Sequence, residues 1–137
     1  MKQITSSGRI KDIRTTPYLV DWHADQGSEF SSEVLDFLFP FWKKDVILSE
    51  WPVAGTRMRY DYVNLSKKII IETDGEQHSQ YSPYFHNNSR AKYLAQIKRD
   101  VLKDKIAELN GFKMVRINPS DLPITKEFFK RQFDITL

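Results

Sequence analysis

Two carboxylates stand on neighbouring segments of the chain that are typical of paired β-strands. Asp61 lies in the string Arg-Tyr-Asp-Tyr, and Glu72 follows eleven residues later, directly after the apolar run Ile69–Ile71. If these segments pair through the short connection at 64–66, the two carboxylates meet at one end of the sheet. Carboxylates so close repel each other unless one protonates or a cation neutralises them. The spacing therefore predicts a site for a hard divalent cation, Mg²⁺ first and Mn²⁺ as the alternative.

A histidine follows the second carboxylate within the string Glu72-Thr-Asp74-Gly-Glu-Gln-His78. A histidine with its ordinary pKa of about 6.5 can exchange a proton with water, phosphate and a leaving oxygen near neutral pH. A bound Mg²⁺ retains waters, one of which can act as the nucleophile. These parts together predict metal-assisted hydrolysis of a phosphodiester.

Each part also has a simpler interpretation. Asp74 and Gly75 form a common tight-turn dipeptide, so Glu72 and Asp74 could merely flank a hairpin loop. Asp61 alone could be a hydrogen-bonding residue at a strand end, and His78 alone could be an ordinary surface histidine. A zinc site made by His78, His86 and Asp74 is a further alternative, although the chain has no cysteine. The joint arrangement favours the hydrolytic site over these readings.

The bulk properties indicate one globular domain. The chain has 137 residues, of which 40% are hydrophobic, enough to bury a core. The absence of cysteine excludes disulfides and thiolate metal sites. No apolar run of about 18 residues is present, and the polar N-terminus lacks the apolar segment of a signal peptide. We expect a cytoplasmic protein with no membrane partner, in the host cytoplasm if the gene belongs to a phage.

The basic residues are clustered more than the net charge of +3 suggests. From 87 to 116 there are eight basic residues and three acidic ones. A solvated helix face would explain this cluster, but basic groups around an acidic site would also bring DNA phosphates to it. The residues that we predict to contact DNA are Arg90, Lys92, Lys98, Arg99 and Lys103.

The periodicity of apolar residues predicts the order α-β-β-β-α-β-α and hence an α/β fold with a mixed sheet of about four strands, flanked by helices. Residues 1–26 form an irregular N-terminal arm in this prediction, and 27–137 form the domain. Ser28 caps the first helix, and Pro40 ends it. The remaining predicted elements are strands at 46–51, 57–63, 67–73 and 112–117 and helices at 89–110 and 124–133.

The long second predicted helix has a cap signal at each end. Asn88 can cap its start, and Gly111 can supply the left-handed residue after its end. Gln96, Asp100 and Lys103 fall on a face separate from the apolar residues. The apolar stripe predicted to face the core comprises Ala91, Leu94, Ala95, Leu102, Ile106 and Leu109.

These strings, in this order, resemble the PD-(D/E)XK nuclease superfamily. The resemblance extends from Glu29 to Ile117 and is most specific in the Glu-x-Asp-Gly-x-x-His string that begins at Glu72. Within the superfamily, the chain looks closest to the branch of very-short-patch mismatch-repair endonucleases and phage EDxHD homing endonucleases. The resemblance implies a PD-(D/E)XK-like core and a divalent-metal-dependent endonuclease that cuts double-stranded DNA, with homing-type site specificity.

The resemblance also implies a role for each matching residue. Asp61 matches the metal-binding aspartate, and Glu72 matches the acidic residue of the second half-motif, with the Thr73 carbonyl as a further metal ligand. Glu29 matches a supporting acidic residue on the first helix. The other matching site residues are His78 for acid-base work and Asp100 on the long helix.

Two departures from the family pattern concern proton transfer. Asp74 occupies the position of the usual lysine, so the resemblance implies that His78 or a helix residue such as Lys98 or Lys103 activates water. The histidine lies three residues after Gly75, where the mismatch-repair members place theirs four after. Cutting both strands would need a homodimer or two sequential nicks. A nicking, mismatch-specific or junction-resolving nuclease and an inactive DNA-binding module are the alternatives.

Overall fold

The computed structural model describes residues 1–74 and 90–137, and within these ranges the chain is a mixed α/β protein. No helix in these ranges is long and apolar enough to span a membrane. The elements are β1 (Lys2–Ile4), β2 (Ile10–Asp12), α1 (Glu29–Trp42), β3 (Ile47–Pro52), β4 (Arg59–Asn64), β5 (Ile69–Thr73), α2 (Arg90–Leu109), β6 (Lys113–Ile117) and α3 (Lys126–Phe133).

The main sheet has the strand order β3-β4-β5-β6. β3, β4 and β5 pair antiparallel through short connections, whereas β6 pairs parallel to β5. A parallel neighbour needs a long crossover, and α2 lies between β5 and β6 in the chain. This arrangement confirms the predicted mixed sheet of four strands and places β4 and β5, which contain Asp61 and Glu72, side by side in its centre.

The sheet separates two hydrophobic cores. Side chains alternate between the faces of a strand. Ile69 and Ile71 of β5 therefore pack with α1 and α3, whereas Ile70 packs with α2. All three isoleucines are buried, as predicted for a central strand covered on both faces. Asp61 and Glu72 thus lie on strands that are covered by hydrophobic cores on both faces.

Two of the predicted helix caps are confirmed, and the third, Asn88, lies outside the described residues. The Ser28 hydroxyl accepts a hydrogen bond from the Ser31 amide at 3.0 Å, and Gly111 has a φ of +78° after α2. The prediction that Pro40 ends the first helix is wrong, because α1 continues to Trp42. Proline removes one backbone hydrogen bond and its ring crowds the preceding turn, but burial of Trp42 stabilises the last turn beyond it.

The apolar stripe predicted for α2 is wrong in part. Ile106 is buried, but Leu94 and Leu109 are 49% and 45% exposed. The buried side of the helix centres on Ile106 and Ala107 and includes the polar Lys103, which is 15% exposed. Because charged side chains share the face that packs on the sheet, the apolar residues alone do not indicate how the helix is rotated.

Residues 1–26, predicted to be an irregular arm, contain the β1–β2 hairpin and pack against the main sheet. The Val20 amide donates to the Ile47 carbonyl at 2.9 Å, and the Trp51 indole donates to the Arg14 carbonyl at 2.8 Å. The Asn110 side chain bonds both backbone groups of Ile4, which joins the hairpin to the end of α2. These partners are distant in sequence, so local periodicity does not reveal them.

Candidate active site

Asp61 and Glu72 each accept a hydrogen bond from the backbone of the other's strand, at the end of the β4–β5 pairing. Tyr62 opposite Ile71 is the last paired position at this end. Beyond it, the Asp61 amide donates to Glu72 Oε2 at 2.7 Å, and the Thr73 amide donates to Asp61 Oδ2 at 2.8 Å. Each carboxylate thus satisfies a backbone donor of the other strand. These bonds fix both side chains at the same end of the sheet, as the sequence predicts.

Thr73 connects this pair to α1. Its hydroxyl lies 3.1 Å from Asp61 Oδ2 and 3.0 Å from the Ser31 hydroxyl. Glu29, the predicted supporting acid, begins the same helix two residues earlier and is exposed. Within the described residues, Glu29 has no hydrogen bond or ion pair with Asp61 or Glu72. The contact between α1 and the site is therefore made by Ser31.

Lys103 of α2 supplies a cation to the carboxylate pair. Its Nζ lies 2.5 Å from Glu72 Oε1, although the two residues are 31 positions apart. The side chains are 15% and 3% exposed, so water screens this ion pair little. Of the two helix lysines that the sequence offers for water activation, the structure brings Lys103 to the carboxylates. Lys98 is exposed on the same helix.

Glu72 is the most strongly perturbed carboxyl group of the site. Burial raises its pKa, and the nearby Asp61 charge raises it further. Lys103 and the Asp61 amide oppose this effect, and the resulting pKa is about 7. The protein therefore places a partly protonated carboxyl group where a cation would favour the charged form. Perturbed carboxyl groups of this kind are concentrated at functional sites.

Replacing Glu72 by Gln should make the metal-free protein more stable at pH 8 but not at pH 5. A carboxyl group with a raised folded pKa contributes its stability below the unfolded value of 4.5 and loses it as the pH rises through about 7. We expect the free energy of unfolding of the variant to exceed that of the wild type by about 3 kcal/mol at pH 8. Urea unfolding in EDTA measures the difference.

The control for this comparison is Glu108→Gln, which also removes one negative charge from the chain. Glu108 lies on α2 and is exposed, so the variant changes net charge without changing the site. Equal free energies of unfolding for the wild type and Glu72→Gln at both pH values would contradict the assigned pKa of Glu72.

Glu50 is a residue of this region that the sequence prediction missed. It lies in β3 between the pairs Ser49–Tyr62 and Trp51–Tyr60, and thus opposite Asp61. Its φ of +54° is unusual for a residue other than glycine. Partial burial and the Asp61 charge raise the pKa of Glu50. A glutamate inside a predicted strand gives no sequence signal for this backbone conformation.

The alternation of both strands breaks at this position. Leu48 and Trp51 are three residues apart in β3, yet both pack into the core beside α2. In β4, Tyr60 packs into that core and Tyr62, two residues later, into the other. In regular strands, residues three apart lie on opposite faces and residues two apart lie on the same face. The irregularity coincides with Glu50 and Asp61.

Asp74 and Asp100, also predicted as catalytic, lie around a different cation. Arg116 of β6 donates from Nη1 to Asp74 Oδ2 at 3.2 Å and lies 3.7 Å from Asp100 Oδ1. Its Nη2 donates to Asp104 Oδ1 at 2.8 Å. Burial alone would lower the pKa of the Arg116 guanidinium, but the Asp104 hydrogen bond and the carboxylate charges raise it. Apart from the exposed Glu29, the predicted acids therefore fall into two groups, one at Lys103 and one at Arg116.

The remaining predicted residues lie at the surface of α2 or outside the described ranges. His78 and His86 belong to the residues 75–89 that the structure does not describe. Their proposed parts in proton transfer or zinc binding remain predictions. The predicted phosphate contacts that are exposed on α2 are Arg90, Lys92, Lys98 and Arg99.

The donor set suits Mg²⁺. Asp61 and Glu72 offer carboxylate oxygens, and the Thr73 carbonyl offers a third hard oxygen. In residues 1–74 and 90–137, no three or more His, Cys, Asp or Glu side chains form a ready-made metal group. Mg²⁺ does not need one, because it retains several waters and takes one or two carboxylates. The buried negative charge at Glu72 is the feature that a cation would relieve.

Comparisons with known proteins give one distant relative. Over 81 residues the chain is 28% identical to "Uncharacterized protein 033L" of Invertebrate iridescent virus 3. The matched segment covers 59% of this chain and 41% of the viral protein, which is therefore much longer than the shared region. No family model matches the chain, and no solved structure matches it. The chain is thus similar to a segment of a viral protein.

Proposed function

We propose that this protein is a divalent-metal-dependent endonuclease that hydrolyses phosphodiester bonds in DNA. One observation carries the proposal: Asp61, Glu72 and Lys103 come together from two strands and a helix. The Asp61 amide lies 2.7 Å from Glu72, and the Lys103 ammonium lies 2.5 Å from the same carboxylate. Paired carboxylates can hold a metal ion, and a lysine beside them can stabilise the charge that develops in phosphodiester hydrolysis.

The fold supports the PD-(D/E)XK assignment that we propose with it. Three antiparallel strands are followed by α2 and a parallel fourth strand, with α1 on the opposite face of the sheet. Asp61 and Glu72 lie on adjacent central strands at the same end. Lys103 then supplies, from the helix, the ammonium that the superfamily usually takes from the position of Asp74.

The chemistry follows from what each side chain contacts. The bonds from Thr73 orient Asp61 Oδ2, and the Asp61 amide orients Glu72 Oε2. When bound by these residues, Mg²⁺ would lower the pKa of a water ligand and neutralise charge on the phosphate. Lys103, beside Glu72 and largely shielded from solvent, stabilises the negative charge that develops during hydrolysis.

The surface around α2 supports DNA as the substrate. Several exposed basic residues lie on the helix that also supplies Lys103, and phosphate contacts of such residues provide most of the affinity for DNA. Double-stranded DNA with homing-type site specificity is our proposed substrate. One chain forms one site, so cutting both strands requires a homodimer or two sequential nicks.

The test is cleavage of supercoiled plasmid and of labelled intact, mismatched and branched duplexes. Each substrate is incubated with Mg²⁺, Mn²⁺ or EDTA, and DNA binding is measured in parallel in Ca²⁺. We expect cleavage in Mg²⁺ and Mn²⁺, none in EDTA, and binding that weakens with added salt.

The outcomes separate the alternatives. Preferred cutting of mismatched or branched DNA would replace the homing-type substrate with a repair or junction substrate on the same site. Binding without cleavage in either metal would contradict the nuclease and favour a DNA-binding module. Cleavage that continues in EDTA would contradict the metal dependence.

A further inference from the structure

Arg116 joins three parts of the molecule through one guanidinium group. It lies on β6 opposite Glu72 in the parallel register. Its Nη1 contacts Asp74 at the end of β5, and its Nη2 donates to the Asp100 carbonyl at 3.2 Å and to Asp104 at 2.8 Å. The side chain is 24% exposed, so its guanidinium group is partly shielded from solvent. One residue thus ties α2 to β6, on which it lies, and to the end of the central strand β5.

The helix contacts of Arg116 flank Lys103. Asp100 and Asp104 are four residues apart, one turn of the helix, and Lys103 lies between them. Contacts that hold this turn against β6 set both the position of α2 along its axis and its rotation about that axis. Lys103 then points at Glu72, which is adjacent to Arg116 in the sheet. Rotation by one residue, about 100°, would turn Lys103 away from the carboxylate.

The apolar contacts of α2 leave this rotation weakly determined. Only Ile106 and Ala107 are buried among the described residues of the helix, and both lie in its last turns. Leu94, Ile97 and Val101 are exposed by 37% or more. In the turn that contains Lys103, Leu102 is only half-buried against the core, so polar contacts contribute to the placement of this turn.

We propose that Arg116 is a positioning residue that holds Lys103 against Glu72 in the nuclease site. The inference rests on the proposed function for its catalytic consequence, but the placement of Lys103 can be tested without catalysis. We expect lysine to be a poor replacement for Arg116, because its donors share one nitrogen, whereas Nη1 and Nη2 of Arg116 serve Asp74 and the helix separately.

The first test measures cleavage in a double-mutant cycle of Arg116→Met and Lys103→Met. If Arg116 acts through Lys103, its loss should lower kcat by about 10- to 100-fold in the wild type. In the Lys103→Met background the same change should lower it by less than about 2-fold. Lys113→Met, an exposed change on the same strand, is the control and should leave kcat unchanged. Losses that multiply would overturn the proposal.

The second test measures the acylation rate of the Lys103 amine by mass spectrometry, in EDTA and without DNA. Its ion pair and low exposure should protect it in the wild type. Arg116→Lys and Asp104→Asn should each raise the rate at least about threefold, because a displaced amine gains solvent exposure. Asp104 is 51% exposed, so its variant is expected to fold even if Arg116→Met does not.

The two tests fail in different ways. Unchanged acylation in both variants, with equal free energies of unfolding, would overturn the positioning role whatever the activity. Increased acylation in a protein that never cleaves DNA would support the positioning role and contradict the proposed function. Rescue of kcat by Arg116→Lys would also overturn the inference, because it would show that charge alone is sufficient.

Discussion

Replacement of Asp61 by Asn should lower Mg²⁺-dependent cleavage by about 10³-fold, equivalent to about 4 kcal/mol of transition-state stabilisation. Asn keeps the shape and an oxygen that can accept from Thr73, so the strand end is preserved. It removes the negative charge that would hold a cation beside Glu72. Plasmid cleavage under single-turnover conditions measures the effect, and DNA binding in Ca²⁺ should change little.

The matched control is Asp45→Asn. Asp45 also joins strand residues through hydrogen bonds, to Asn64 and Lys67, but at the other end of β4. This variant should cost some stability, because those hydrogen bonds to a charged group weaken. It should cleave DNA at the wild-type rate. Full cleavage by Asp61→Asn would show that the active site lies elsewhere.

Lys103→Met should lower kcat by about 10²- to 10⁴-fold, the range for a positioned acid-base or charge-stabilising group. Met keeps most of the aliphatic stem and removes the ammonium that contacts Glu72. The Glu72 carboxylate is 3% exposed and loses its cation in this variant. The metal-free variant should therefore also be less stable than the wild type at pH 8. Cleavage kinetics and urea unfolding measure the two effects.

The same variant distinguishes two roles that the sequence allows for Lys103. A lysine that contacts a phosphate should raise Kd when it is lost and reduce the salt dependence of binding by about one counterion. A lysine of the active site should change kcat with Kd nearly constant. Because Lys103 is largely buried against Glu72, we expect the second result. The control is Lys105→Met, an exposed change two positions further along α2.

The site carries several features that stability alone would not favour. Glu50 has a left-handed backbone conformation, and Glu72 is a buried carboxyl group beside another carboxylate. Strained conformations and buried charges each destabilise a fold and are concentrated where a function needs them. Glu50 lies opposite Asp61 on the edge strand β3, and Glu72 lies beside Asp61 on β5, so the two features occur around the same carboxylate.

Some of this arrangement is predictable because it depends on neighbours in sequence. Ser28 and Gly111 are recognised as helix caps since a cap needs only local geometry. The apolar run before Glu72 predicts a central strand, and the short connection to β4 predicts that Asp61 lies beside it. Both carboxylates of the candidate site therefore follow from local pattern and strand pairing.

The choice of cation and the grouping of the acids depend on the tertiary structure. The basic residues of α2 are alike in sequence, and only the rotation of the helix against the sheet places Lys103 at Glu72. Asp74 follows Glu72 by two residues yet lies against Arg116, 42 positions away.

The amino-acid sequence predicts the order of the main elements after residue 26, the caps Ser28 and Gly111 and the meeting of Asp61 with Glu72, because these follow from periodicity and short connections; it does not predict the β1–β2 hairpin. Only the tertiary structure decided which lysine joins them, which arginine holds α2 and where Glu50 lies. The reason is physical: helix rotation and strand irregularity are set by burial and ion pairs among distant residues, and the charged residues on the packed face of α2 hide its orientation from the hydrophobic pattern.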